Sequence, residues 1–221
     1  MKVAIIYKGG SGSGNFNHVG RPGEVGGSGD GGSGGKAQER GYADIQKDVK
    51  KELNSKHEDS LDVYSTEDYK IINEYVRTGK CPKTSEDEYG DKVPVKQSEI
   101  DYHIKNLDQA IKMNSLTEDT FLYRGIVSDR FNTTSEGKTF LDRGFMSTTN
   151  TIQSAKQFLD FSQETGKGST ILSIRAPKGT NFALVDAENQ ENEVLLGRGN
   201  EIKVVGHSNY KGYNVIEADL L

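Results

Sequence analysis

Apolar residues recur with two different periods along this chain, and the change of period divides the folded part in two. Between residues 43 and 111 they return every three or four positions, the spacing of one helical face. Residues 43–53 read as a first, charged helix. Ser65-Thr66-Glu67-Asp68 opens a second, with Ser65 and Asp68 at capping-box spacing, Tyr69, Ile72 and Val76 on one face and Gly79 as the stop. Ser98 and Asp101 open a third, in which Ile100, Ile104, Leu107 and Ile111 form one apolar stripe. From Phe121 onward the pattern shortens to strand-like runs over residues 121–127, 144–149, 169–175, 193–196, 201–205 and 213–218, with a helix over residues 151–161. Helices first and strands later predict an α+β fold, the N-terminal helices packed on a mainly antiparallel sheet.

Ahead of this body the pattern disappears. About half of residues 9–35 are Gly, a composition that cannot bury enough apolar surface to offset its ordering entropy. Residues 1–41 are therefore expected to form a flexible arm, and residues 42–221 the folded domain. The arm holds one non-repetitive island over residues 14–29, with Phe16, His18, Arg21 and Val25 in set order. It reads either as a docking or processing element for a phage or other partner, or as a linker with stray residues.

Composition narrows the classes of function. With 221 residues, a net charge of −5 and 33% apolar residues, one modest domain plus the arm accounts for the chain. The mild acidity is spread along the body and gives no nucleic-acid footprint. Cys81 stands alone, which excludes an intrachain disulfide and a cysteine-based metal cluster. His103 and His207 lack a paired ligand at metal spacing, so no metal is expected. The apolar start, Val3 to Tyr7, is too short for a signal peptide, and no later stretch has the length of a membrane span.

The candidate chemistry lies in Glu191-Asn192-Glu193, before the apolar run Val194-Leu195-Leu196. On an extended strand alternate residues share a face, which would set the two carboxylates side by side, roughly 7 Å apart. Such a pair can divide labour, one acid stabilising a cationic transition state and the other aligning or deprotonating a nucleophile. Alone, the same pattern is also common on a solvent-facing strand edge. Two further elements precede it in order: Arg124 in Leu122-Tyr123-Arg124-Gly125, and Ser147 in Gly144-Phe145-Met146-Ser147-Thr148-Thr149.

In these motifs, and in Tyr69-Lys70-Ile71-Ile72-Asn73-Glu74-Tyr75-Val76-Arg77, the body resembles the ADP-ribosyltransferase exoenzyme family, in its Arg/Ser/Glu-x-Glu branch. The likeness runs from Tyr64 to Val205 or beyond. It implies a β-sandwich core that binds NAD, with Arg124, Gly125, Ser147, Thr148, Phe158 and Glu193 at the NAD site. Glu193 is then the catalytic acid that stabilises the ribosyl cation, Arg124 engages the phosphates, and Ser147 holds Glu193 or the nicotinamide side. Glu191 implies an arginine of a target protein as acceptor, and the turn at residues 186–190 corresponds to the region that recognises the target. The family's aromatic after the Ser-Thr-Thr strand would fall to Phe158 or Phe161, for which the apolar core is the competing place. The expected function is mono-ADP-ribosyl transfer from NAD to arginine with release of nicotinamide. The alternatives are an NAD glycohydrolase of the same fold and a non-catalytic phage structural module. The glycine-rich island resembles a segment of tailed-phage head-morphogenesis proteins, which implies a phage-encoded enzyme acting on a protein in the bacterial host cytoplasm.

Overall fold

Short amphipathic helices begin the body and strands complete it. The structure, a computed structural model, describes residues 38–66, 68–86, 91–127, 135–161, 169–185 and 192–221. Its helices are α1 (Tyr42–Gln46), α2 (Ser55–Ser65), α3 (Tyr69–Thr78), α4 (Gln97–Lys112) and α5 (Ile152–Phe161). Its strands are β1 (Thr84–Glu86), β2 (Lys92–Pro94), β3 (Asn114–Ser115), β4 (Thr120–Val127), β5 (Thr139–Asp142), β6 (Met146–Thr149), β7 (Ser169–Ala176), β8 (Asn181–Val185), β9 (Glu193–Leu196), β10 (Asn200–Tyr210) and β11 (Tyr213–Leu220). β1 and β2 pair as a separate small sheet.

The other nine strands follow the order β3-β8-β9-β6-β4-β7-β11-β10-β5, antiparallel throughout except between β7 and β11. Between β6 and β4 the ladder thins to one residue pair, Thr149 with Tyr123. The sheet folds over itself at this seam. Phe182, Val194, Leu196 and Met146 from one half meet Leu122, Leu172, Ile174, Ile202 and Ile216 from the other in a single buried layer. The result is a mainly antiparallel sandwich, as expected.

β9 alternates across its two buried faces, which is why its sequence is a continuous apolar run. Val194 and Leu196 enter the sandwich, while Leu195 points outward to a second cluster with Leu61, Tyr64 and Tyr69 and the α4 stripe of Ile100, Ile104, Leu107 and Ile111. A third cluster places Ala155, Phe158 and Leu159 of α5 against Tyr123, Val127, Ile171 and Val215. Gly125 makes that contact possible, because a Cβ there would lie 2.7 Å from the Phe158 ring and 2.8 Å from the Ala155 carbonyl.

Several local expectations change. The helix read over residues 43–53 is only the five-residue α1, since the N–H groups of Lys50 and Lys51 donate to the Asn114 side chain at 2.7 and 3.0 Å instead of continuing the helix. α2, absent from the sequence reading, starts at an Asn54 cap whose side chain accepts from Lys56 N and His57 N. Ser65 therefore ends α2, its hydroxyl donating to the Asp62 carbonyl, and does not cap α3. α4 begins at Gln97 without a side-chain cap, so Ser98 lies inside it. Gly79 does close α3, at φ 71°, its N–H donating to Tyr75 O.

Contacts of the folded body begin before the expected boundary at residue 41. Gln38 forms a parallel bridge with Thr120, and Arg40 is buried in an ion pair with Asp48, so residues 38–41 belong to the folded body. The island at residues 14–29 lies outside the described residues. No described helix is long and apolar enough to cross a membrane.

Candidate active site

The seam of the sandwich is where the expected chemistry converges. β9 pairs with β6 so that Glu193 lies opposite Thr149 and Leu195 opposite Ser147, and Thr149 in turn pairs with Tyr123 of β4. Glu193, Thr149 and Tyr123 thus form one row across three strands, and Arg124 is the next residue along. A small cleft opens there, lined by Tyr123, Arg124, Gly125, Ser147, Thr148, Thr149, Ala155 and Glu193.

Both charged groups of this cleft are buried, Arg124 at 6% and Glu193 at 4% exposure. Burial pushes the Arg124 guanidinium down from its ordinary pKa, opposed by the charges of Asp142, Tyr64 and Glu193. Thr149 Oγ1 is buried with no hydrogen-bond partner among the described residues. Thr148 points to the opposite side, and its hydroxyl donates to Val194 O at 2.5 Å, tying β6 to β9. That hydroxyl is committed to the backbone.

Behind the cleft lies a polar network that the sequence reading missed. Asn73 Nδ2 donates to Tyr64 Oη at 2.8 Å, Asn73 Oδ1 accepts from Phe145 N at 2.8 Å, and Tyr64 Oη lies 3.5 Å from Ser147 Oγ. Burial, reinforced by the Glu193 carboxylate, pushes the Tyr64 phenol up to about 12. Further along, Arg77 Nε meets Asp142 Oδ1 at 3.1 Å, and Arg124 Nη1 lies 3.5 Å from Asp142 Oδ2. The run from Tyr69 to Arg77 carries part of the family resemblance as a helical motif, but the sequence assigns Asn73 and Arg77 no role at the site. Asp142 carried no signal alone, because its meaning depends on Arg77, 65 residues away.

Other expected site residues are placed differently. Phe158 is 7% exposed and packs in the α5 cluster against Gly125, so Ala155, not Phe158, is the α5 residue that lines the cleft. Gly125 lines the cleft and also seats α5. Glu191, the turn at residues 186–190 and the Phe161 side chain lie outside what is described. The premise of one extended strand through Glu191-Asn192-Glu193 fails: β9 starts at Glu193, and Asn192 is in the left-handed region at φ 49°, which Asn tolerates better than most residues. His103 is a helix residue whose Nδ1 lies 3.1 Å from Ser60 Oγ. Among the described residues no group of three or more His, Cys, Asp or Glu is arranged to hold a metal.

The family model described as ADP-ribosyltransferase exoenzyme matches residues 41–221, and the chain belongs to that family. No sequence relative is found among curated proteins. Solved structures share the fold. Vis, an ADP-ribosyltransferase toxin from Vibrio splendidus solved with an inhibitor, superposes with a TM-score of 0.62 at 16% identity, covering 81% of each chain. BECa, an ADP-ribosylating toxin of a C. perfringens binary enterotoxin solved with NADH, gives 0.61 at 21% identity over 82% of this chain and 46% of its own. C3stau2 from S. aureus, solved with NAD, gives 0.59 at 18% identity, over 81% of this chain and 92% of its own. Vis has also been solved in complex with agmatine. Family and fold together indicate an ADP-ribosyltransferase.

Proposed function

We propose that this protein transfers ADP-ribose from NAD to the guanidinium of a protein arginine and releases nicotinamide. The observation that carries the reading is the convergence of Arg124, Ser147 and Glu193, from three strands, on one cleft. The cleft suits NAD in sign and chemistry. It offers a buried cation for the pyrophosphate, a buried carboxylate for the positive charge that develops on the ribose, and the hydroxyls of Ser147 and Thr149 beside that carboxylate. Breaking the bond between nicotinamide and ribose passes through an oxocarbenium-like cation, so the Glu193 carboxylate contributes most in the transition state. Arg124 is permanently charged, and its planar fork matches phosphate oxygens.

Glu191 acts on the acceptor. A guanidinium is cationic at neutral pH and a poor nucleophile, so a second carboxylate attracts it, orients it and takes up its proton. Agmatine, present in a structure of Vis, carries the same guanidinium group, which supports arginine as the acceptor chemistry here. The acceptor is read as a protein of a bacterial host, and the enzyme as phage-encoded, on the resemblance of the arm.

The test is direct. Protein incubated with NAD and agmatine is analysed by mass spectrometry for ADP-ribosyl-agmatine and nicotinamide. Both products are expected. Free ADP-ribose without the agmatine adduct would overturn arginine transfer, and unchanged NAD would overturn the enzymatic reading altogether.

A further inference from the structure

Arg77, the last residue of the helical motif that begins at Tyr69, has no part in the transfer chemistry described so far. Its side chain crosses Gly144 to reach Asp142, at the end of β5. Arg77 Nε donates to Asp142 Oδ1 at 3.1 Å and Nη2 to Oδ2 at 3.4 Å, while Gly144 N–H donates to Oδ1 at 2.9 Å. A fork plus a backbone donor fixes the plane of the carboxylate. Gly144 is required for this arrangement, since a Cβ there would fall 2.6 Å from Arg77 Nη2 and 2.7 Å from Asn73 Oδ1. Thus held, Asp142 sets Oδ2 3.5 Å from Nη1 of Arg124, which lines the cleft.

We propose that Asp142, locked by Arg77 and Gly144, is the positioning residue that sets where the Arg124 guanidinium stands to receive the NAD pyrophosphate. The inference rests on the transferase reading above.

Two physical arguments support it. Arg124 stands in the field of two carboxylates, Asp142 behind it and Glu193 across the cleft, and Asp142 exerts the stronger pull. Without the Asp142 charge the guanidinium is drawn toward Glu193, which would occupy both the phosphate ligand and the carboxylate needed at the ribose. The second argument concerns charge. Asp142 already shares its charge with Arg77, so its single negative charge is divided between two guanidiniums. Asp142 therefore steadies Arg124 without itself neutralising it, and the guanidinium keeps its attraction for phosphate. An Asp paired with Arg124 alone would compete with the substrate.

The experiment measures NAD affinity by titration calorimetry and NAD turnover by nicotinamide release. It uses wild type, Asp142→Asn, Arg77→Lys, Arg124→Lys and the double variant Arg124→Lys/Asp142→Asn, with thermal unfolding recorded for each. Asp142→Asn is expected to weaken NAD binding and raise KM about 10- to 100-fold, the scale of a catalytic group misplaced by about 1 Å. Arg77→Lys keeps the charge and loses the fork, and is expected to show a smaller rise in KM with a nearly unchanged unfolding temperature. If Asp142→Asn does not fold, Arg77→Lys carries the test. In the Arg124→Lys background the Asp142 change is expected to add less than about twofold, because two residues acting through one contact are not additive. NAD affinity within twofold of wild type in folded Asp142→Asn, or in Arg77→Lys, overturns the positioning role and leaves the transferase reading standing. So do additive losses in the double variant. A wild type that neither binds nor consumes NAD overturns both.

Discussion

Two buried arginines, Arg40 and Arg124, show how the same residue type serves two ends in one molecule. Arg40 joins the start of the folded body to Thr120, the first residue of β4, and its charge is met by Asp48. Its Nη1 meets Asp48 Oδ2 at 2.6 Å, and its Nη2 donates to Asp48 Oδ1 at 3.1 Å and to Asp44 O at 2.9 Å. Asp48 also accepts from the N–H and hydroxyl of Thr117. The bond to Asp48 raises the Arg40 pKa, whereas burial lowers that of Arg124. Arg124 stands 3.5 Å from an aspartate whose hydrogen bonds go to Arg77 and Gly144, and its side chain lines a cleft. A structural arginine is closed by its own protein. In the proposed function Arg124 is instead steadied by Asp142 and faces the NAD phosphates.

The contrast fixes what substitutions should do. At the cleft, Arg124→Lys is expected to lower kcat/KM for NAD by about 100-fold or more while the unfolding temperature changes little, because the lost fork acts on the transferring substrate. Steady-state kinetics with a parallel melt decides this, and a large drop in stability with unchanged KM would erase the distinction. At the other arginine, Arg40→Met is expected to cost about 3–5 kcal/mol of stability by leaving Asp48 buried with its charge unpaired. Urea unfolding measures that loss, and KM for NAD of the folded fraction should match wild type. Tyr64→Phe removes the acceptor of Asn73 Nδ2 and is expected to cost about 1–3 kcal/mol.

The smallest effect is in the pH dependence. Burial raises the Asp48 and Asp142 carboxyls, but their arginine partners and hydrogen bonds outweigh it and hold both below the ordinary range. A lowered carboxylate pKa contributes stability that is complete above the unfolded value of about 3.9 and is lost as pH falls through the folded value. Acid unfolding should therefore begin below about pH 4, and Asp48→Asn should flatten it. Tyr64, pushed up to about 12, works at the other end. Its contribution is complete below about pH 10 and lost above it, and Tyr64→Phe should abolish that alkaline loss.

What could be read from the sequence follows the same division. Arg124, Ser147 and Glu193 lie in or beside short apolar strands whose pattern marks them, and strand register alone brings them to the seam. Asp142 lies in a run, Phe140-Leu141-Asp142, that gave no strand signal, and its importance comes from a helix residue far away in sequence. α1 was overread because the sequence of residues 43–53 does not reveal that Asn114 will take its backbone donors. β10 extends beyond residues 201–205 because a bulge between Val204 and Gly206 lets it stay paired with β11. Phe158 was equally suited to cleft and core, and the packing of α5 on Gly125 put it in the core. The left-handed Asn192 broke the simple alternation on which the pairing of Glu191 with Glu193 had been argued.

The central claim is a division of roles between the two acids, Glu193 for the ribose and Glu191 for the arginine. Labelled NAD, a protein acceptor and free nicotinamide are followed together in wild type, Glu191→Gln and Glu193→Gln. The expected result is that Glu193→Gln loses both transfer and NAD hydrolysis, while Glu191→Gln loses transfer and still releases nicotinamide to water. Equal loss of both activities in the two variants would contradict it.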